Sequence, residues 1–178
     1  IARDADIFCS IAEHSPVLCQ VTVTAAEDSL SALVEPNVSS TSERFEAIAK
    51  MSENGLFTGI VMTPLLPFIE DTEENVLGIV RMAKECGARS VYPMFGLTMR
   101  SGQREYFYKK LEENFPNSGL AERYAKTYGD RYVCNSPHIK RLWKVFTEEC
   151  QKLGLAYEMR DITASYKLGY GDSQLSFF

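Results

Sequence analysis

Three apolar, strand-like runs alternating with two capped amphipathic helices across residues 18–95 constrain this chain more than any other feature. Leu18 to Thr24 (LCQVTVT) alternates and is rich in β-branched residues, which is a strand pattern. Ser40-Thr41-Ser42-Glu43 has the form of a capping box, in which a hydroxyl and a carboxylate satisfy free amides at a helix start. Phe45, Ile48, Ala49 and Ser52 follow at helical spacing, and Gly55 supplies the stop. Phe57 to Met62 is a second apolar run, bounded by Pro64. Asp71 to Glu74 repeats the capping pattern, Val76, Ile79, Val80 and Ala83 repeat the helix face, and Gly87 ends it. Ser90 to Phe95 is the third strand-like run. Apolar strands separated by helices predict parallel βαβ units, hence an α/β fold.

Three parallel strands make about half of a small barrel, and an open parallel sheet wants both faces covered. Arg3 to Glu13 reads as a helix packed before the first strand, with Ile7, Phe8 and Ile11 apolar. A helix in that place implies a further strand upstream. The fold expected is therefore a partial (β/α) barrel over residues 1–98, followed by C-terminal helices over 99–170 and a tail over 171–178. Gly102 to Asn114 and Gly119 to Tyr128 are the first of those helices, rich in aromatics and separated by Phe115-Pro116-Asn117. Ser136-Pro137 reads as an N-cap with proline in the first turn. From there Ile139, Leu142, Trp143, Phe146, Cys150 and Leu153 form one apolar stripe ending at Gly154. Glu158 to Phe178 reads as a short helix or extended arm and then a free tail.

Composition removes several function classes. With 178 residues, Lys+Arg 19 against Asp+Glu 24 gives a net charge of −5, so any contact with nucleic acid must come from a local patch. The longest apolar run, Gly59 to Phe68, is broken by Thr63, Pro64 and Pro67 and is too short to cross a bilayer, so no membrane is expected. His14 and His138 are the only histidines, which excludes a histidine-rich metal site. Cys9, Cys19, Cys86, Cys134 and Cys150 are odd in number and widely spaced, and no basic, apolar leader opens the sequence. Both features fit a reducing cytoplasm.

In parallel α/β sheets ligands bind at the carboxyl ends of the strands. Here those ends carry Thr22 and Thr24, then Thr63 and Pro64, then Met94 to Thr98. Threonine hydroxyls on neighbouring strand ends can hold a polar cofactor such as a ribose; equally, threonine simply favours strands. Glu35 falls in the loop after the first strand, and Arg44 in the first turn of the next helix. A cation there opposes the helix dipole, so it calls for a carboxylate or phosphate partner. The plainer alternative is a solvated arginine paired with Glu43 or Glu46. Arg100, Arg104, Lys109 and Lys110 interleave with Tyr106, Phe107 and Tyr108, a pattern that suits a nucleic-acid backbone or, more simply, an amphipathic helix with a solvated face. Cys150 lies on the core stripe, whereas Cys134 is expected in a loop as the one thiol exposed enough to react.

Gln174-Leu175-Ser176-Phe177-Phe178 places two phenylalanines at a terminus, where packing gives them no role. The pentapeptide resembles the clamp-binding motif of bacterial replication and repair proteins, with Phe177 where leucine is usual. The resemblance implies that Gln174 anchors by hydrogen bonds while Leu175, Phe177 and Phe178 fill an apolar pocket on the sliding clamp.

VEPNVSSTSERFEAIAKMSENG, TPLLPFIEDTEENV, FGLTMRSGQREYFYKKLEENFP and YGDRYVCNSP, with the QLSFF end, resemble the C-terminal half of radical S-adenosylmethionine (SAM) proteins of the spore photoproduct lyase-like, "DNA repair photolyase" type. The resemblance implies the last three strands of a (β/α)6 barrel. In that family a [4Fe–4S] cluster held by CxxxCxxC cleaves SAM to a 5′-deoxyadenosyl radical that abstracts hydrogen, here from a DNA lesion. By position, the SAM-contacting groups map to Thr22, Thr24, Thr63 and Pro64, and to Glu35 and Arg44. The cysteine triplet is missing from this sequence, so the resemblance implies cluster and catalysis only in a longer protein. The competing expectation is a non-catalytic α/β binding module tethered to the clamp in DNA repair. An unpaired strand edge is also a template for pairing, which makes a homodimer a further expected partner.

Overall fold

The computed structural model describes residues 1–100 and 102–171. After a 3-10 turn at Ala2–Asp4, the first half of the chain runs α1 (Ala5–Ala12), β1 (Leu18–Thr22), α2 (Asp28–Val34), α3 (Thr41–Glu53), β2 (Phe57–Met62), α4 (Glu73–Glu85) and β3 (Ser90–Pro93). The second half runs β4 (Gly96–Thr98), α5 (Gln103–Asn114), α6 (Leu120–Tyr128), β5 (Val133–Asn135), α7 (Ile139–Leu153) and α8 (Met159–Tyr166).

The expected parallel sheet is present, in the order β1-β2-β3. Thr22 lies beside Val61, and Val61 beside Tyr92, so the rows of side chains can be followed across all three strands. Gly59 is required by the close approach of β2 to β3: a Cβ there would sit 2.2 Å from the Ser90 Oγ. The capping box at Ser40 forms as the sequence predicts, with Glu43 N–H donating to Ser40 Oγ and Ser40 N–H to the Glu43 carboxylate. At α4 the cap is Thr72, whose Oγ1 accepts from the Asn75 amide, and Asp71 is left for other work.

One face of the sheet is fully packed. Val23, Ile60, Met62 and Val91 meet Phe45 and Ile48 of α3, Ile79 and Val80 of α4, and Leu142 and Phe146 of α7. The other face is different. Alternation puts Gln20, Thr22, Val61 and Tyr92 there, and all four remain partly or fully exposed. The far side of β3 is partly covered by a parallel bridge to Ala156. From there α8 returns across the amino-terminal end of the sheet, where Tyr166 meets the edge of the Phe57 ring at 6.3 Å and the Tyr170 hydroxyl donates to Ala12 O.

The second half adds a two-stranded antiparallel sheet, β4 with β5, and its own apolar cluster of Leu66, Leu97, Met99, Leu111, Tyr124, Tyr128 and Cys134. Gly96 permits this pairing, because at φ +155 a Cβ would lie 2.6 Å from Cys134 O. The expected boundary after residue 98 falls at the end of β4, whose partner strand belongs to the helical half, so this antiparallel pair ties the halves together. Three local expectations are corrected. Ser136 does not cap α7; His138 holds that position, and Ser136 Oγ accepts from the His138 amide two residues ahead. The connection after β1 that holds Glu35 is not all loop but contains the short helix α2, and Glu35 follows its last residue as the C-cap. Cys134 is not in an exposed loop but fully buried in β5, where it pairs with Leu97 of β4 and joins the second apolar cluster.

Candidate functional site

The carboxyl ends of β1 and β2 gather most of the strand-end residues singled out above. Arg44 leans back from α3 across the tip of β1. Its Nη1 donates to Glu35 Oε2 at 2.7 Å and to Thr22 O at 3.0 Å, and its Nε to Ser39 O at 3.0 Å. The carboxylate partner is thus Glu35, not Glu43 or Glu46, and Glu43 is already used by the capping box. This cluster fixes the α2–α3 connection against the strand, since a half-buried guanidinium with three oxygen acceptors strongly resists rearrangement. The Thr22 side chain remains exposed above it. Thr63 is half-buried and joined to exposed Pro64 by a cis peptide bond at the tip of β2.

Thr24 turns inward and is buried. It belongs to a group that the sequence reading missed. Asn75, at the start of α4, donates from Nδ2 to Thr24 O at 2.8 Å and to Glu70 O at 2.9 Å, and its Oδ1 accepts from Ala26 N–H at 2.7 Å. One amide therefore locks together the connections that follow β1 and β2. Glu70 is fully buried, and its Oε2 accepts from the Leu66 amide at 2.7 Å. Its other oxygen, Oε1, is buried without a hydrogen-bond partner. Burial pushes the Glu70 pKa up to about 7; the Leu66 amide and the nearby Thr24 hydroxyl oppose the rise, and the charges of Glu35 and Asp71 add to it. Asp71 is fully engaged, Oδ1 accepting from Phe68 N–H at 2.6 Å and Oδ2 from Ser136 Oγ at 2.5 Å. The available signal was a lone glutamate closing the apolar stretch Leu65 to Ile69. A charge at that place either reaches water or is buried at cost, and the sequence does not say which.

Beside the end of α2 opens a cleft of about 420 Å3, lined by Leu33, Pro36, Leu66, Tyr106, Phe107 and Leu111. On the α5 side, Phe107 and Tyr108 pack against Tyr124 in the core, while Lys109 and Lys110 pair with Glu113. Tyr106 alone of the three aromatics is broadly exposed. That is the amphipathic-helix arrangement, with Lys109 and Lys110 committed to a neighbouring carboxylate and Arg104 to the Arg131 carbonyl.

No group of three metal-ligating side chains occurs among the described residues. The five cysteines are free, and burial raises the pKa of Cys134. Cys134 is accordingly expected to resist iodoacetamide in the folded chain and to react only on unfolding; mass spectrometry of native and denatured samples checks this, and rapid native labelling would contradict its burial. No helix among the described residues is long and apolar enough to cross a membrane. Gln174, Leu175, Phe177 and Phe178 lie outside the described residues.

Comparison with known proteins gives relatives at low identity. The chain is 24% identical over 147 residues to the uncharacterized protein ORF301 of Acidianus two-tailed virus, a stretch that covers 80% of this chain and 47% of that protein. It is 26% identical over 128 residues to the uncharacterized protein Rv2578c of Mycobacterium tuberculosis (strain ATCC 25618 / H37Rv), covering 72% of this chain and 37% of that protein. The chain thus spans less than half the length of the curated relatives it matches. No family model and no solved structure matches it.

Proposed function

We propose that this chain is the C-terminal portion of a radical SAM enzyme resembling DNA-lesion repair lyases, its three strands being the last three of a (β/α)6 barrel. The observation that carries the reading is the part-open face of a parallel sheet: Phe57, Gly59 and Ser90 are buried toward its amino-terminal end, while the residues nearer the carboxyl ends are only partly covered. Such sheets are ordinarily buried on both sides, yet Gln20, Thr22, Val61 and Tyr92 face outward beside a β1 edge that pairs with no strand among the described residues. A barrel resolves both features at once, since further strands added to β1 turn this face into an interior. The position of α1 before β1 suits a crossover from such a strand.

The [4Fe–4S] cluster does not fit the described residues, which bring no three ligands together; its cysteines would have to come from outside this chain. SAM fits better. The exposed Thr22 hydroxyl and Thr63 stand at adjacent strand tips, Pro64 shapes the rim, and the Glu35–Arg44 pair holds the neighbouring connection still. When bound, SAM supplies the hydrogen-abstracting chemistry; this chain's residues bind and orient it. Thr24, buried beside Glu70, supports the tip from below and does not face the ligand.

Three measurements test the proposal. The encoded sequence upstream of Ile1 should carry a CxxxCxxC triplet. The protein containing it, reconstituted anaerobically with iron, sulfide and reductant, should release 5′-deoxyadenosine from SAM, and Thr22→Val should weaken SAM binding about tenfold, as expected for loss of one hydrogen bond in a dry site. An upstream region without the triplet overturns the enzyme reading.

A further inference from the structure

We infer that the turn Leu66–Asp71 is a proton-operated latch over the carboxyl end of β2, closed when the Glu70 carboxyl is neutral and loosened when it ionises. The inference is independent of the SAM reading and rests on geometry around one side chain. Glu70 reaches back inside its own turn, where Oε2 takes the Leu66 amide at 2.7 Å while its backbone N–H donates to Leu66 O at 2.9 Å. This double contact closes the turn. Oε1, buried with no partner, tolerates a proton but not a share of a negative charge.

The charged and titratable groups around it do not rescue the anion. Glu35 at the end of α2 and Asp71 in the same turn both repel it, and the cation nearest Glu35, Arg44, is already bound to that carboxylate. Tyr124 of α6 donates its hydroxyl to Pro67 O at 2.5 Å, and Arg123 lies over the Phe68 ring at 4.0 Å, so both serve the outside of the turn. From β1's side the neutral Thr24 hydroxyl favours the anion, as the Leu66 amide does, but burial outweighs both. Ionisation therefore favours any opening that admits water to Oε1. The first bonds such an opening breaks are Leu66 N–H to Glu70 Oε2 and Glu70 N–H to Leu66 O. What it uncovers is Thr24 and the tip of β2, the floor of the candidate site. The raised pKa of Glu70, about 7, puts the change within the physiological range.

Amide hydrogen exchange of the whole chain, followed by NMR from pH 6 to pH 8, tests the latch. After correction for intrinsic base catalysis, the Leu66 and Glu70 amides should exchange about tenfold faster at pH 8 than at pH 6, which is the factor expected when a group crosses its own pKa by a unit. The Val23 amide, bonded to Val61 O within the sheet, should show no excess. Glu70→Gln should abolish the excess while leaving Val23 unchanged. Equal behaviour of all three amides, or an excess that persists in Glu70→Gln, overturns the inference. If that variant does not fold, a carboxyl 13C titration of Glu70 in the unmodified chain decides: a midpoint near 7 supports the latch, and one below about 5.5, close to an ordinary carboxyl, overturns it.

Discussion

Phe146→Ala is expected to destabilise the chain by about 3–5 kcal/mol, the range for emptying a large aromatic site in a well-packed core. Phe146 is fully buried, and its ring meets those of Phe95 at 5.7 Å, Trp143 at 5.8 Å and Tyr157 at 5.8 Å. These contacts join α7 to the segment after β3 and to the segment that bridges Ser90 through Ala156. The cavity cannot collapse easily, because Phe95 is buried in the same apolar cluster and its carbonyl accepts from the Ser136 amide. Urea unfolding by circular dichroism measures the loss. A change under about 1 kcal/mol, typical of a surface site, would mean that α7 does not dock as described.

The second large effect comes from Glu70 and depends on pH. In the folded chain its pKa stands at about 7, against 4.5 for the ordinary group. The folded state therefore keeps a proton that the unfolded state releases. The stabilisation is complete below pH 4.5, falls as pH rises, and is gone above about pH 7. At roughly 1.4 kcal/mol per unit, the difference amounts to on the order of 3 kcal/mol. Glu70→Gln stays neutral and keeps an oxygen for the Leu66 amide, so it should match the parent chain near pH 4 and exceed its stability near pH 8 by about that amount. Paired urea titrations at the two pH values provide the check, and an identical difference at both would show that Glu70 ionises in the fold as it does in water.

The sheet was legible because its signals are local. Alternation in Leu18 to Thr24, the capping box at Ser40 and the apolar face of Val76, Ile79, Val80 and Ala83 each report on a few consecutive residues, and each appears in the structure close to where the sequence puts it. Other features depended on contacts between distant segments. Cys134 looked exposed because Tyr132-Val133-Cys134 carries no strong strand pattern, and only pairing with Gly96 to Thr98 buries it. Arg44 showed that it needed an acceptor, but the choice of Glu35 followed from a short helix, α2, that turns the carboxylate back toward β1. Glu70 gave the least warning.

Amino-acid order alone settled the strand and helix alternation and the parallel sense of the sheet, since periodicity and caps act within one or two turns of chain. Tertiary structure decided which sheet face stays open, which thiol is hidden, and that a carboxyl group lies sealed beneath the strand tips. Those outcomes depend on what arrives from 20 or more residues away to exclude water, and no local pattern encodes that.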